Sequence, residues 1–217
     1  HDLAAALVGT GVTHRPVVKS LGVQLTSGRR RTTVGMRARL GDFAARYLRF
    51  RALQRLGVDT ARLMRTGGVA ALMYGVAVYG VSPTMLRSQR RIVAAAVAPG
   101  SGICGHDLDL ALMLADGSAT GRADPAFDAH SEPIGMWARS VYLSWFPLDV
   151  AHDWIQADLA RLRAARNPWA VARGPAAAFI LSAARLGWTP KDARHIVTDL
   201  GRWLDLLHDP PVVVIRE

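Results

Sequence analysis

The chain contains a single cysteine, Cys104, among its 217 residues. This excludes a disulfide framework and a cysteine-based zinc site within the chain. Its longest weakly polar stretch, residues 67–81, is shorter than the roughly 20 residues that a membrane helix needs. No basic segment precedes an apolar stretch at the start, and P-loop and HExxH motifs are missing. The glycines of residues 100–105 fit a turn better than a phosphate-binding loop. We therefore expect an intracellular protein, nuclear or cytoplasmic, that does not contact a membrane.

Acidic residues are scarce in the first part of the chain. Residues 1–99 contain 16 lysine and arginine residues but only three acids, whereas residues 100–217 contain 11 basic and 14 acidic residues. Only Lys19 and Lys191 are lysines, and arginine forms paired hydrogen bonds with phosphate and stacks on bases. A GC-rich genome also favours arginine, but it does not place the charge in one half. The asymmetry predicts a polyanionic partner for residues 1–99, nucleic acid before membrane.

The first part of the chain is predicted to begin with a β-hairpin. Residues 17–25 are rich in β-branched side chains and partly alternate, which is typical of a strand. Thr26-Ser27-Gly28 is a turn signal, and residues 29–34 would form the return strand. Three consecutive arginines would then lie at or near the tip of the hairpin.

Helical spacing of apolar residues follows the hairpin. Residues 36–56 are predicted as one helix, on which six arginines and one acid lie between the apolar positions. Gly67-Gly68 predicts a break, and Ser82-Pro83 has the types preferred at an N-cap and at the first helical residue. Further helices are predicted over residues 60–65, 69–79 and 83–97.

Tryptophan is confined to the second part of the chain. All six tryptophans follow residue 130, so an aromatic core is expected there. Glycines cluster at residues 99–105, where the charge balance also changes sign, and we place a domain boundary in this segment. A small β-hairpin is predicted from residues 195–198 and 202–206, and a new element after Asp209-Pro210. Short apolar or helical elements are predicted over residues 108–114, 126–130, 133–146, 148–166 and 174–186.

These patterns predict a mainly α protein with three regions. Residues 1–35 would form the hairpin, residues 36–99 a basic helical bundle, and residues 100–217 a second helical region with the small hairpin. The chain starts at His1 and ends directly after the apolar run 212–215. We therefore expect a piece of a larger protein, with a processed chain as the alternative.

Dense arginine charge on the hairpin and the first helix is the strongest functional signal. Such a helix repels itself unless something neutralises it, which favours a surface that follows phosphates without reading bases. The alternative is a solvated basic face. Tyr47 and Phe50 would stack on bases or, as their spacing favours, pack in the core. The predicted phosphate contacts are Lys19, Arg29, Arg30, Arg31, Arg37, Arg39, Arg46 and Arg49.

Two weaker patterns concern metal binding and catalysis. Acidic residues gather between Asp107 and Glu132, which raises the alternative of a magnesium site, although aspartate in such a stretch more commonly forms caps and turns. Cys104, His106 and His130 raise the alternative of a hydrolase, but no matching nucleophile or ligand set accompanies them. We predict no metal ion and no catalytic residue within this chain.

Short motifs in the first part resemble the non-LTR (LINE-like) retrotransposon reverse transcriptases, in the region after their catalytic palm. Lys19-Ser20-Leu21-Gly22-Val23 has the form of the strand that closes the palm as the primer grip. Leu72-Met73-Tyr74-Gly75 and Val78-Tyr79-Gly80 are similar to the family's helix with a Tyr-Gly pair and a second aromatic position. Residues 65–82 and 124–130 are also similar to reverse-transcriptase-like families encoded in dinoflagellate genomes.

The resemblance implies a helical thumb and connector that grip a template–primer duplex, with Leu21 and Gly22 as primer-grip residues. The family's polymerase centre uses a Tyr/Phe-x-Asp-Asp pair and a third Asp to hold two metal ions, and this sequence has no such pair. The implied function is a nucleic-acid-binding fragment of an RNA-directed DNA polymerase that is inactive alone. Magnesium would bind only upstream, and no cofactor is implied here. The implied partners are the RNA/DNA template–primer duplex and the remainder of the parent polyprotein.

A second hypothesis assigns function to the other half of the chain. In it, the chain is a stand-alone helical adaptor whose tryptophan-rich second half binds a protein partner, while the basic half only keeps it in solution. Large exposed aromatic side chains in residues 133–203 would favour this hypothesis, and a fully buried set would count against it.

Overall fold

The computed structural model describes residues 17–20, 23–26, 31–98, 106–116 and 123–217. Side chains are described for residues 31–98, 108–115 and 123–217. The fold is mainly helical, with a small antiparallel sheet near the C-terminal end, and the predicted fold class is confirmed. Among the described helices, none is both long and apolar enough to cross a membrane.

The N-terminal hairpin is shorter than predicted and has a different register. Strand β1 (Val17–Ser20) pairs antiparallel with β2 (Val23–Thr26), with Ser20 opposite Val23. The chain therefore reverses direction inside the stretch that was predicted as one strand. Thr26 ends β2, and the rest of the turn predicted at residues 26–28 lies outside the described residues. The predicted return strand is also wrong at its end, because Val34 begins a helix.

The long basic helix is interrupted. Helix α1 (Val34–Ala44) and helix α2 (Tyr47–Arg55) are separated by a tight turn in which the Arg46 N–H donates to the Phe43 carbonyl at 3.0 Å. In a continuous helix Phe43 and Phe50 would lie about 10 Å apart along the axis. The turn instead stacks their rings with centroids 5.4 Å apart, so ring stacking accompanies the break that helical periodicity did not predict.

The segment after α2 is helical through the predicted break. Helix α3 (Thr60–Leu63), a π-helical turn (Met64–Gly68) and α4 (Val69–Leu72) follow one another directly. Glycine suits position 68 of this turn because it has no Cβ. A Cβ there would lie only 2.7 Å from Met64 Sδ. The break falls instead at Gly75, whose φ of 81° starts α5 (Val76–Tyr79).

The helix predicted from its start signal is confirmed. Helix α6 (Pro83–Val97) begins with Ser82 as N-cap, whose hydroxyl accepts the Met85 N–H at 3.4 Å. Helix α7 (His106–Asp116) packs on α6. The Gln54 side chain links α2 to this bundle by donating to the Thr60 hydroxyl at 3.0 Å and to the Val97 carbonyl.

The second part contains one long helix where two were predicted. Helix α8 (Pro125–Tyr142) runs through Pro133, a residue that usually ends a helix because it lacks an N–H. Burial of Pro133, Ile134 and Trp137 against neighbouring elements holds the helix together. The later elements are α9 (Leu148–Ala164), α10 (Pro168–Val171), α11 (Gly174–Arg185) and α12 (Pro211–Arg216).

The predicted C-terminal hairpin gains a third strand. Strand β4 (His195–Val197) lies between β3 (Thr189–Pro190) and β5 (Trp203–Asp205), antiparallel to both. Ile196 and Leu204 are opposite each other and fully buried, so this sheet belongs to the second core.

Two hydrophobic cores share helix α8. One core joins α1, α4, α5, α6 and α7 and reaches Ala129 at the start of α8, and the other begins at Ile134 and extends to Val214. Helix α5 also packs on α8 and α11, so the basic half is docked on the tryptophan-rich half. The predicted domain boundary at residues 99–105 lies outside the described residues.

Gly80 lies where the two halves meet, and its replacement is expected to be costly. Its φ of 58° and ψ of −172° suit glycine alone, and a Cβ would come within 2.9 Å of the Trp169 ring. We expect Gly80→Ala to lower the free energy of unfolding by about 2–4 kcal/mol, measured by urea denaturation. Gly57→Ala is the control, because Gly57 has a φ of 78° but a Cβ there would meet nothing within 4 Å. We expect this variant to lower the free energy of unfolding by only about 1 kcal/mol. Equal losses would contradict the steric argument.

Candidate nucleic-acid interface

Part of the predicted phosphate-binding set lies beyond the described structure. Arg29, Arg30, Leu21 and Gly22 lie outside the described residues, and Lys19 lies in β1 with its side chain not described. These five residues stay predictions. The other five predicted residues lie on or beside α1 and α2.

Arg31 is held by the protein itself. Its guanidinium donates to the Gly80 carbonyl and lies 5.5 Å from the Trp169 ring centroid. Burial, together with the nearby charge of Arg185, lowers the pKa of Arg31 from 12.5 to about 10. Arg185 stacks on the same ring at 4.8 Å and donates to the Val81 carbonyl. Arg31 thus ties the start of the helical part to the second core, a role that sequence reasoning missed.

Arg39 is also engaged within the fold. It points towards the loop after α4 and donates to the Tyr74 carbonyl at 2.8 Å. Its contact with phosphate stays a prediction, as does that of Arg31.

A group of exposed arginines lies on or between the helices of the basic bundle. Within the described part of the chain, none of them forms an ion pair, and each is exposed. The group includes three predicted residues and four that the prediction omitted. We call these seven residues the basic surface: Arg37, Arg46, Arg49, Arg51, Arg55, Arg62 and Arg87.

The arrangement of arginines on α2 follows from the inward residues. Tyr47, Phe50 and Gln54 are partly buried towards α6, so the opposite side of the helix faces solvent. Arg51 and Arg55 lie four residues apart and therefore on the same side. Their helical spacing was visible in the sequence, and it is the signal that would have added them to the predicted set.

Arg90 differs from its neighbours because carboxylates from the second half bind it. Its guanidinium forms a fork with Asp124, with distances of 2.7–3.1 Å, and contacts Asp109 at 2.6 Å. The hydrogen bonds that Arg90 donates to Asp124 are the main reason that the pKa of Arg90 is raised. Asp124 also caps α8 by accepting the Ala126 N–H at 2.8 Å. Two residues of the predicted acidic group therefore act as a cap and as ion-pair partners.

A second candidate surface is an aromatic cavity between α8, α9 and α11. Its volume is about 510 Å³, within the range of small-ligand pockets. Trp145 is 56% exposed and Trp154 46% exposed at this cavity, whereas Trp137 is 2% exposed. Phe146 contacts both Trp137 and Trp154, with ring centroids 5.5 and 5.3 Å apart.

The charged groups at this cavity partly neutralise one another. Asp158 forms an ion pair with Arg161 at 2.7 Å, and Arg173 also lines the cavity. Burial raises the pKa of Asp158, while Arg161 and Arg173 oppose that rise. The cavity therefore offers mainly apolar and aromatic contacts.

His130 is partly buried and makes its hydrogen-bond contact within its own helix. Its Nδ1 lies in hydrogen-bond contact with the Ala126 carbonyl of its own helix, one turn earlier. Burial is the main cause that lowers the pKa of His130 from 6.5. Cys104 lies outside the described residues, and the His106 side chain is not described, so the hydrolase alternative stays untested for them.

Titration of His130 should make the protein less stable in mild acid. Because its pKa is lowered on folding, the unfolded chain takes up the proton first when the pH falls below about 6.5. We expect the free energy of unfolding to decrease from there down towards the lowered pKa, and His130→Gln to flatten that decrease. Chemical denaturation at several pH values between 7.5 and 5 measures this free energy of unfolding. The control is His152→Gln, which replaces an exposed histidine. Identical pH profiles for wild type and His130→Gln would contradict the burial argument.

Within the described side chains, no group of three or more His, Cys, Asp or Glu residues is placed to hold a metal ion. The magnesium site expected upstream stays a prediction. Comparisons of the chain with protein-family models, with curated proteins and with solved structures found no match.

Proposed function

We propose that the chain is a nucleic-acid-binding fragment that holds a template–primer duplex through the phosphate backbone. The observation that carries this proposal is the basic surface: seven exposed arginines without ion pairs in the described part of the chain. Guanidinium groups bind phosphates through pairs of parallel hydrogen bonds. We further propose that the parent protein is a retroelement RNA-directed DNA polymerase whose catalytic aspartates lie outside this chain.

The electrostatic cost of the basic surface supports a polyanionic partner. Residues 31–98 contain 12 arginines and only the acids Asp42 and Asp59, and Asp59 is used by Arg65 and by the α3 N-cap. Like charges at helical spacing destabilise a helix, and a bound duplex removes that repulsion. The hydrophobic core beneath α1 and α2 positions the arginines without using them.

The role of the fragment in polymerisation would be positional. It would hold the duplex near the reacting primer end, which contributes proximity and orientation and no chemical group. The proposed primer-grip residues, Leu21 and Gly22, would act with the basic surface in that task.

A salt titration tests the proposal. We expect an RNA–DNA duplex and a DNA duplex of unrelated sequence to bind with similar affinity, because phosphate contacts carry no base information. If about five phosphates are neutralised, the affinity should fall roughly 500-fold between 50 and 200 mM salt. Fluorescence anisotropy measures both quantities. An affinity that does not change with salt would refute the proposal.

The exposed tryptophans favour a second candidate function, an adaptor that binds a protein partner through its second half. Trp145, Trp154 and Trp203 are 46–62% exposed, and exposed aromatic side chains are enriched at protein interfaces. Trp137 and Trp188 are buried, so only part of the tryptophan set supports this candidate.

Acrylamide quenching of tryptophan fluorescence distinguishes the two surfaces. If the aromatic cavity serves a separate partner, quenching should be the same with and without a saturating duplex. Protection of the tryptophans by the duplex would instead assign them to nucleic-acid binding and count against the adaptor. The variant Trp145→Phe/Trp154→Phe identifies their share of the signal.

A further inference from the structure

A separate basic cleft lies between helices α6, α7 and α11. Its volume is about 580 Å³, which is within the range of small-ligand sites. Four arginines and one aspartate line it together with three apolar residues. The lining residues are Pro83, Leu86, Arg87, Arg90, Arg91, Leu108, Asp109 and Arg185.

The charge in this cleft is not balanced by its own acids. Arg90 is neutralised by Asp109 and Asp124, so these three residues carry a net charge of about −1. Among the described side chains, Arg87 and Arg185 add two positive charges to the same cleft, and Arg91, which has an interaction partner of its own, also lines it. A negatively charged ligand is therefore favoured.

Arg185 gives the cleft a positive charge that the fold holds in place. One of its Nη atoms donates to the Val81 carbonyl, and its guanidinium is held over the Trp169 ring. Because these contacts fix the guanidinium before a ligand binds, its charge is preorganised for an anion in the cleft.

The apolar residues suit a ligand that has a flat or apolar part beside its charge. Leu86 and Leu108 are buried at the cleft, and Pro83 places the first turn of the 15-residue α6 at its edge. A helix N-terminus favours negative charge. Arginines beside apolar contacts are the combination that a phosphate attached to a base and sugar needs.

We infer that this cleft is a phosphate-binding site of nucleotide size, which shares only Arg87 with the basic surface. It takes the phosphate of a nucleotide, either as a free nucleoside phosphate or as part of a strand. The inference rests on the cleft residues alone and does not require the proposed duplex binding.

Isothermal titration calorimetry with adenosine monophosphate and with adenosine tests the inference in the full chain. We expect the monophosphate to bind and the nucleoside to bind at least about tenfold more weakly, because charged hydrogen bonds contribute about 1.5–3 kcal/mol. The variant Arg87→Gln/Arg91→Gln should weaken monophosphate binding by at least about tenfold. Equal binding of monophosphate and nucleoside would overturn the inference.

Two further variants make the result specific. Asp109→Asn removes a carboxylate that competes with phosphate while Asp124 still holds Arg90, so it should tighten binding by about threefold. The matched control Arg163→Gln/Arg166→Gln changes two exposed arginines on and just after α9 and should leave binding unchanged. A loss of affinity in Asp109→Asn, or equal losses in the control and the cleft variant, would contradict the inference.

Competition with an oligonucleotide identifies the source of the phosphate. Displacement of adenosine monophosphate from the wild-type protein by a single strand assigns the cleft to strand phosphates. Monophosphate binding that a strand does not disturb assigns it to free nucleotides. Both results support a phosphate site, and absence of monophosphate binding refutes it. Duplex affinity is measured separately, so failure of the proposed function would be recognised independently.

Discussion

Reversing three charges on α2 is expected to weaken duplex binding by about two to three orders of magnitude at 100 mM salt. In the variant Arg49→Glu/Arg51→Glu/Arg55→Glu, three contacts to phosphates are lost, and three carboxylates face the negatively charged phosphate backbone of the duplex. All three arginines are exposed and have no ion-pair partner in the described part of the chain. Their removal should therefore leave folding intact, and anisotropy with a labelled RNA–DNA duplex measures the loss.

A control with the same change of charge separates a local surface from net charge. Arg139, Arg163 and Arg166 are exposed arginines on or beside α8 and α9. Their replacement by glutamate should weaken binding less than about tenfold, since only long-range attraction changes. If both triple variants bind equally badly, net charge and not the basic surface accounts for the affinity. If neither variant loses affinity, the proposed interface is wrong.

Truncation of Trp137 is expected to have the largest effect on stability. Its ring stacks on Phe179 with centroids 5.4 Å apart, and its indole N–H donates to the Ala193 carbonyl at 2.9 Å. Trp137→Ala removes both contacts and leaves a large cavity in the second core. We expect the free energy of unfolding to fall by about 3–5 kcal/mol, measured by urea denaturation followed by circular dichroism.

Two comparison variants show how much of that loss of stability comes from the hydrogen bond and how much from burial of the ring. Trp137→Phe retains a ring but leaves the Ala193 carbonyl without its donor, and it should lose about 1–3 kcal/mol. Trp145→Ala truncates an exposed ring and should change stability by less than about 1 kcal/mol. A Trp137→Ala loss no larger than that of Trp145→Ala would contradict the assignment of the second core.

The parts of the fold that the sequence predicted correctly are those with local signals. Ser82 and Pro83 define the start of α6 because a hydroxyl cap and a fixed φ act within one turn of the chain. The break near Ala45 was missed because it accompanies a contact between side chains, the Phe43–Phe50 stack. The break at Gly75 lies at a glycine with positive φ. The predicted helix boundary at Pro133 was wrong because packing of α8 outweighs the tendency of proline to end a helix.

The basic surface was predictable as a charge excess but not as a set of side chains. Composition cannot show that Arg31 turns inwards to Trp169, because that contact spans more than 130 residues of sequence. It also cannot show that Arg90 is bound by acids 19 and 34 residues away. The aromatic cavity was anticipated only as a tryptophan-rich half, since exposure of Trp145 and burial of Trp137 depend on helix packing.

The most direct test of the phosphate-binding account is the salt dependence of duplex affinity in two proteins. Wild type is compared with Arg49→Gln/Arg51→Gln/Arg55→Gln, and the logarithm of the affinity is plotted against the logarithm of the salt concentration. Each phosphate contact contributes about 0.9 to the slope, so the variant's slope should be shallower by about 2.7. Parallel lines for the two proteins would show that these arginines do not contact phosphates.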